Sequence, residues 1–313
     1  MEYRKLGNSG LNVSVLSVGT VALGMRYGIE TPNEKEQPPA PSESTCLLQE
    51  AADRGINLFD TAPGYGISET LIGKAIGSRF DALVATKVAI EFVTEEMSAR
   101  GVRNEMLKSV DRSRHNLQRD QISLLQIHNA TRSAVNDPRV IDALHEILRR
   151  KWALALGASV YGEDNAMAVI EHPLFSAVQV AFNLLDQRMK DRVFAAARHY
   201  NTGILARSAF LKGALTPRAC HLPEALAGLT EGAAKACTFF GCSWSSLPSQ
   251  ALRFVLSHDW VDSVLVGIRN AKELAAALET LSAGPFPDAI LSQAADLALD
   301  SDQLLNPSNW AIS

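Results

Sequence analysis

The stretch Ser123-Leu-Leu-Gln-Ile-His128 is a short apolar run that ends in an ionisable residue. It lies between two segments that carry apolar residues at helical spacing, Asn104–Leu117 and Asp137–Lys151. Seven further apolar runs, most followed by an amphipathic segment, bring the number of candidate strands to eight. The eight runs are Val15–Gly19, Ile56–Asp60, Ala82–Lys87, Ser123–His128, Ala153–Ser159, Ala177–Asn183, Gly203–Ser208 and Ser263–Gly267. Their apolarity is continuous, which is typical of parallel strands covered by helices on both faces.

The segments between these runs favour a barrel. The other predicted helices are Ser42–Asp53, Asn165–Glu171, Asp191–Tyr200 and Asn270–Leu281, with an extra one near Glu231–Phe240. Eight strands alternating with helices in 313 residues favour a (β/α)₈ barrel over a doubly wound sheet. The turn signal Gly7-Asn-Ser-Gly10 predicts an N-terminal β-hairpin. We therefore expect residues 1–313 to form a single α/β domain, a (β/α)₈ TIM barrel with a hairpin over its bottom.

The composition argues against several other classes of protein. With 47% hydrophobic and 20% charged residues, the chain has the balance of an ordinary soluble globular protein. Its net charge is −4 and its basic residues do not cluster, so no nucleic-acid partner is expected. No apolar run approaches the roughly 20 residues that span a bilayer. The charged start also lacks the apolar region of a signal peptide, so we expect a cytoplasmic protein without a membrane partner.

Metal chemistry is not indicated by the sequence. The four cysteines form no CxxC motif and do not pair with a histidine at zinc-finger spacing. HxH and HExxH motifs do not occur, and only one of the seven histidines, His128, ends a predicted strand. We therefore predict no metal site, and free thiols in a reducing compartment.

Ionisable residues end three successive predicted strands. Asp60, Lys87 and His128 occupy these positions, and Tyr65 follows five residues after Asp60. The carboxyl ends of barrel strands converge on one face, where the active sites of such barrels lie. Charged groups at the ends of apolar strands are costly unless they pair with one another. The pattern thus predicts an interacting cluster at this face.

A glycine-containing segment after the second strand half resembles a dinucleotide-binding fingerprint. In Gly64-Tyr-Gly-Ile-Ser-Glu69, however, a glutamate replaces the third glycine, and the segment does not follow the first strand. A Rossmann interpretation is therefore rejected. We instead expect Ser68 to be the N-cap of a helix that begins at Glu69.

Several motifs together resemble the aldo-keto reductase family. Phe59-Asp-Thr-Ala-Pro-Gly-Tyr-Gly-Ile-Ser-Glu-Thr-Leu-Ile-Gly73 is similar to the family's signature after the second strand. Val84–Val88 resembles its lysine strand and Leu124–Asn129 its histidine strand. Leu16–Thr20 and Gln179–Arg188 extend the resemblance over most of the chain. The resemblance implies a catalytic tetrad composed of Asp60, Tyr65, Lys87 and His128.

The chemistry of these side chains agrees with carbonyl reduction. Adding a hydride to a carbonyl produces an alkoxide, which must receive a proton as it forms. A phenol, with an ordinary pKa of about 10, becomes a usable acid when a nearby cation stabilises its phenolate. We expect Lys87 to be that cation for Tyr65, Asp60 to hold the cation, and His128 to donate a hydrogen bond to the substrate oxygen. No side chain can supply a hydride, so a nicotinamide is required.

The resemblance also implies residues that bind the coenzyme. Ser159 and Gln179 match the residues that hold the nicotinamide amide. Arg207 stands where the family usually stacks a tyrosine on the nicotinamide, and a guanidinium plane can also stack. Arg269 follows the last strand, where the family binds the 2′-phosphate, so NADP(H) is expected, with NAD(H) possible. The alternative for Arg269 is a solvated arginine, and Glu273 could pair with it. The other predicted cofactor-binding residues are Gly19, Thr20, Asp60, Ser208, Phe210, Gly213 and Gly267.

The substrate pocket is less well defined. The candidates to line it are Met25, Tyr27, Asn129, Phe92 and Trp310. The proline-rich stretch Ile29–Pro41 predicts a loop, which either lies over the catalytic face or is a solvated insertion.

The sequence as a whole predicts an NADP(H)-dependent aldo-keto reductase with Tyr65 as general acid/base. Its partner would be a small carbonyl compound, either an aldehyde, a ketone or a sugar. Two alternatives stay open. One is an NAD-dependent sugar (aldose) dehydrogenase that forms a lactone. The other is a nucleotide-binding sensor whose turnover is vestigial.

Overall fold

The computed structural model describes residues 1–31 and 37–310. A short antiparallel hairpin opens the chain, with β1 (Tyr3–Lys5) paired to β2 (Asn12–Ser14). Its turn contains Gly7 at φ +49° and Gly10 at φ +77°, a left-handed backbone that glycine adopts without strain. Apolar side chains of the hairpin segment pack against those that fill the barrel interior. The hairpin therefore closes one end of the barrel, as predicted.

Eight parallel strands form a closed barrel. They are β3 (Leu16–Gly19), β4 (Leu58–Asp60), β5 (Leu83–Val88), β6 (Ile122–Ile127), β7 (Ala153–Ser159), β8 (Ala177–Ala181), β9 (Gly203–Arg207) and β10 (Ser263–Gly267). Each strand pairs with the next in chain order, and β10 closes the barrel against β3 with Gly267 opposite Gly19. The predicted (β/α)₈ fold class is confirmed.

Helices cover the outside of the barrel. They are α1 (Val21–Gly24), α2 (Pro41–Asp53), α3 (Ser68–Ile76), α4 (Ala99–Leu117), α5 (Arg132–Val135), α6 (Pro138–Arg149), α7 (Glu163–Glu171), α8 (Arg192–Tyr200), α9 (Ala227–Phe240), α10 (Leu247–Leu256), α11 (Ala271–Ser282), α12 (Asp288–Gln293) and α13 (Asp302–Leu305). Short 3₁₀ turns occupy Leu211–Gly213, Pro217–His221, Glu224–Leu226, Ala294–Leu297 and Pro307–Asn309. The main core lies between the strands and these helices. None of the helices in residues 1–31 and 37–310 is long and apolar enough to cross a membrane.

Two local predictions were wrong. Ser68 does not cap α3: the helix begins at Ser68, and the serine hydroxyl instead donates to the Thr20 carbonyl oxygen at 2.7 Å. The strand predicted to run to Asn183 ends at Ala181. The Asn183 side chain accepts hydrogen bonds from backbone amides of the turn that follows it, so it is structural. In both cases the polar side chain forms hydrogen bonds with backbone groups, and it neither caps the predicted helix nor continues the predicted strand.

Candidate active site

The carboxyl ends of the barrel strands surround a cavity of about 800 Å³. Most of the residues predicted for the site line this cavity: Gly19, Thr20, Tyr27, Asp60, Tyr65, His128, Asn129, Ser159, Gln179, Arg207, Ser208, Phe210, Gly213, Gly267 and Arg269. Lys87 is buried next to Asp60. Positions at the ends of separate strands thus become neighbours, as the strand-end pattern indicated.

Three of the substrate candidates are not among the residues that line the cavity. Met25 is exposed, and Phe92 packs against the hydrophobic core; neither belongs to the cavity lining. Trp310 is buried and donates from its indole nitrogen to the Leu304 carbonyl oxygen at 2.9 Å. Of the predicted loop from Ile29 to Pro41, residues 32–36 lie outside the described residues. The part that is described includes Thr31, which borders the cavity.

Lys87 and Asp60 form a buried ion pair at the cavity wall, which Asp60 lines. The Lys87 ammonium donates to Asp60 Oδ2 at 2.6 Å and to the Thr61 carbonyl oxygen at 2.8 Å. Its side chain is 0% exposed, and that of Asp60 is 5% exposed. Burial by itself would lower the pKa of Lys87, but the negative charge of Asp60 and the Tyr65 phenol outweigh it, so the pKa is raised. Lys87 is therefore held as a cation.

The second carboxylate oxygen of Asp60 anchors a chain of buried amides. Asp60 Oδ1 accepts from Gln126 at 3.0 Å and from Gln179 at 2.8 Å. Gln179 in turn accepts from the Ser159 hydroxyl at 3.2 Å. Ser159 and Gln179, the pair predicted to bind the nicotinamide amide, are thus linked to the Asp60 carboxylate, Gln179 directly and Ser159 through Gln179. Gln126 was not predicted. The sequence did contain a signal for it, because a glutamine inside a buried strand needs a hydrogen-bond partner.

Tyr65 and His128 contact each other close to this ion pair. Their rings meet edge to face with centroids 5.9 Å apart, and the Lys87 Nζ lies 4.9 Å from the centroid of the Tyr65 ring. Burial, assisted by the positive charge of Lys87, lowers the pKa of His128 to about 4. The imidazole is therefore neutral near pH 7, with one ring N–H available as a donor.

Close backbone packing holds the Tyr65 segment in place. A Cβ on Gly24 would collide with the Tyr65 carbonyl oxygen and the Ser68 hydroxyl, so only glycine allows α1 to approach this closely. Gly66 adopts φ +59° directly after the tyrosine. A Cβ on Gly66 would collide with the Gly24 carbonyl oxygen, so this glycine of the segment that resembled a nucleotide fingerprint allows close packing beside Tyr65.

The loop after β9 has an unusual backbone. Ser208, Leu211 and Lys212 have φ values of +62°, +45° and +55°, followed by Gly213 at +109°. Successive residues in left-handed and right-handed conformations form concavities that bind anions. Lys212 lines the cavity here, and burial lowers its pKa. Lys212 was not predicted, because the sequence does not show that the backbone of this loop places the lysine at the cavity.

The opposite end of the cavity lies at the start of α11. Arg269 pairs with Glu273, with Nη2 and Oε1 3.1 Å apart, and its backbone N–H donates to Glu273 Oε2 at 2.8 Å. Asn270 caps α11 by accepting from the Glu273 amide. The pairing that the sequence suggested between Arg269 and Glu273 is therefore present.

Arg207 is the last residue of β9 and lines the cavity. Its guanidinium carbon is 4.0 Å from the ring centroid of Tyr161, and Nη2 donates to the Val160 carbonyl oxygen at 3.0 Å. One face of the guanidinium plane is therefore covered by Tyr161. Tyr161 was missed, since nothing in the sequence links it to a residue 46 positions further along the chain.

Comparisons with known proteins agree with this fold. A sequence profile described as the Aldo/keto reductase family matches residues 16–297, so the chain belongs to that family and is an oxidoreductase. Aldo-keto reductases bind nicotinamide cofactors and act on small molecules.

Individual relatives are distant. L-galactose dehydrogenase of Arabidopsis thaliana is 28% identical over 291 residues, 88% of this chain and 86% of that protein. Aldo-keto reductase YhdN of Bacillus subtilis is 28% identical over 226 residues, 69% of this chain and 64% of that protein. The solved structure of aldo-keto reductase AKR11C1 from Bacillus halodurans, in its holo form, superposes with a TM-score of 0.77 at 23% identity. It covers 99% of this chain and 100% of its own, which shows a shared fold.

Proposed function

We propose that this protein is an NADP(H)-dependent aldo-keto reductase that reduces the carbonyl of an aldehyde, ketone or sugar, with Tyr65 as the general acid/base. One observation carries the proposal. The buried pair of Lys87 and Asp60 holds a cation 4.9 Å from the centroid of the Tyr65 ring. A phenol beside a fixed cation can give up its proton to a developing alkoxide and take it back in the reverse reaction.

His128 would orient the substrate. Its low pKa keeps the imidazole neutral, so one ring N–H can donate to the carbonyl oxygen without a competing positive charge. Tyr65 and His128 would then hold the same oxygen from two directions. Asp60 acts through Lys87: its carboxylate keeps the ammonium charged and fixed in position. The substrate oxygen would therefore sit between the phenol and the imidazole.

The residues around the cavity fit a nicotinamide dinucleotide. Ser159 and Gln179 offer a hydroxyl and an amide beside Asp60, suited to the nicotinamide amide. The left-handed loop from Ser208 to Gly213, with Lys212, suits a pyrophosphate. Arg269 at the other end suits a 2′-phosphate, with Gly19, Thr20, Phe210 and Gly267 on the walls between. When bound, the nicotinamide supplies or accepts the hydride.

A panel of aldehydes, ketones and aldoses, assayed with both coenzymes in both directions, tests this proposal. We expect reduction of carbonyls with NADPH to be faster than with NADH. Oxidation of an aldose with NAD⁺ as the dominant activity would overturn the proposal in favour of a sugar dehydrogenase. The named activity of the Arabidopsis relative makes that the second candidate to assay. Tight coenzyme binding without turnover on any substrate would favour a sensor.

A further inference from the structure

Arg207 carries a positive charge into the part of the cavity nearest the catalytic residues. It ends β9, is half-buried, and lines the same cavity as His128 and Tyr65. The electrostatic effect of its charge reaches His128 and the hydroxyl of Tyr27. The guanidinium therefore belongs to the catalytic end of the cavity rather than to the end at α11.

The guanidinium retains hydrogen-bonding capacity. Arginine has five N–H donors in a planar fork. Among the described residues, Arg207 uses one donor on the Val160 carbonyl oxygen and one on the Ser208 hydroxyl at 3.2 Å. Its stacking on Tyr161 fixes the plane, so the remaining N–H groups are already oriented. A pre-oriented arginine fork matches the geometry of a carboxylate.

The acidic groups of the cavity do not neutralise this charge. Two acidic residues line the described part of the cavity, Asp60 and Glu273. Asp60 is paired with Lys87, and Glu273 is paired with Arg269. No salt bridge joins Arg207 to a carboxylate within residues 1–31 and 37–310. A partly desolvated cation is costly without a counter-charge, so an anion is expected to complete this site when it is filled.

We infer that Arg207, flanked by the phenols Tyr27 and Tyr161, binds a carboxylate on the substrate, so that the preferred substrates are carbonyl compounds bearing an acid group. This inference rests on the proposed carbonyl-reducing function. The inference is compatible with a nicotinamide beside the guanidinium. Tyr161 covers one face of the guanidinium plane, and the nicotinamide ring could contact the opposite face. The substrate carboxylate would then bind the N–H groups at the edge of the plane.

A pair of aldehydes of similar size, one charged and one neutral, tests the inference. 4-Formylbenzoate carries a carboxylate, whereas its methyl ester has similar size and electronic character without the charge. We expect the wild type to show a kcat/KM at least about tenfold higher for the acid, chiefly through a lower KM. A single charge-assisted hydrogen bond to the carboxylate is enough to account for about a tenfold difference in affinity. In Arg207→Gln this acid-to-ester ratio should fall to near one, and Arg207→Lys should restore part of it.

Control measurements separate the possible failures. Arg192→Gln removes an exposed arginine paired with Asp164 and should leave the acid-to-ester ratio unchanged. An unchanged ratio in Arg207→Gln together with weaker NADPH binding would overturn the inference and assign the arginine to the coenzyme. If no aldehyde is reduced, the proposed function fails, and calorimetry with benzoate and benzamide still decides the inference. Tighter binding of benzoate that depends on Arg207 would support it, and equal binding would contradict it.

Discussion

The two ends of the cavity hold their charges in different ways. At the end of the cavity that holds the proposed catalytic residues, Lys87 and Asp60 are buried, and the Lys87 ammonium and both Asp60 carboxylate oxygens have hydrogen-bond partners. At the α11 end, the side chains of Arg269 and Glu273 are 26% and 35% exposed and pair across one helical turn. A buried pair is strongly destabilising to break, whereas a partly exposed pair of this kind is worth about 0.5 kcal/mol. The fold therefore fixes the catalytic end and leaves the α11 end able to exchange partners.

Lys87→Met should produce the largest change, because it leaves Asp60 as an uncompensated buried charge. We expect the free energy of unfolding to fall by about 3–5 kcal/mol and kcat to collapse. Denaturant unfolding and steady-state kinetics measure the two effects. The double variant Lys87→Met/Asp60→Asn should recover part of the stability but none of the activity. A single variant as stable as the wild type would contradict the burial argument.

His128→Gln tests the burial of this end of the cavity through the pH dependence of stability. The pKa of His128 is about 4 in the folded protein, and an exposed histidine has a pKa of about 6.5. Between these values the unfolded chain binds a proton that the folded protein does not, so stability falls as the pH falls. From pH 7 to pH 5 this contributes about 2 kcal/mol.

The variant should therefore lose about 2 kcal/mol less stability than the wild type over that pH interval. Urea unfolding of both proteins at pH 7 and pH 5 provides the comparison. An identical pH dependence in the two proteins would mean that His128 titrates normally in the folded state.

Arg269→Ala tests the opposite end. Charge-assisted hydrogen bonds to a phosphate contribute about 1.5–3 kcal/mol, so the wild type should prefer NADPH over NADH by roughly ten- to a hundredfold. The variant should lose most of this preference by binding NADPH more weakly, with NADH binding nearly unchanged. Dissociation constants from fluorescence titration decide the matter. Equal binding of both coenzymes by the wild type would remove Arg269 from coenzyme selection.

Glu273→Gln should give the smallest effect. The glutamate carboxylate competes with a phosphate for Arg269, and removing its charge should strengthen NADPH binding by roughly twofold, in line with a pair worth about 0.5 kcal/mol. The same titrations apply. Weaker NADPH binding in this variant would indicate that Glu273 positions the arginine for the coenzyme instead of competing for it.

The sequence predicted the barrel and the clustering of the strand-end residues because both follow from patterns along the chain. Apolar runs define the strands, and the geometry of a barrel brings their carboxyl ends together. Asp60, Lys87 and His128 could therefore be grouped before any distance was known.

The remaining features depend on contacts that no local pattern encodes. The contact between Arg207 and Tyr161 joins the end of β9 to the loop after β7, and the position of Lys212 depends on its left-handed backbone. Serine is a common N-cap residue, but the Ser68 hydroxyl donates a hydrogen bond to the Thr20 carbonyl oxygen in a neighbouring segment. Met25 was a candidate to line the pocket, but it is exposed and does not belong to the cavity lining.

The most direct test of the account is Tyr65→Phe, which removes the proton donor and keeps the ring. The measurement is kcat for reduction of an aldehyde with NADPH, with the NADPH dissociation constant determined on the same sample. The account predicts a fall in kcat of at least about 10²-fold and an unchanged dissociation constant. A kcat close to that of the wild type would contradict the assignment of Tyr65 as the general acid/base.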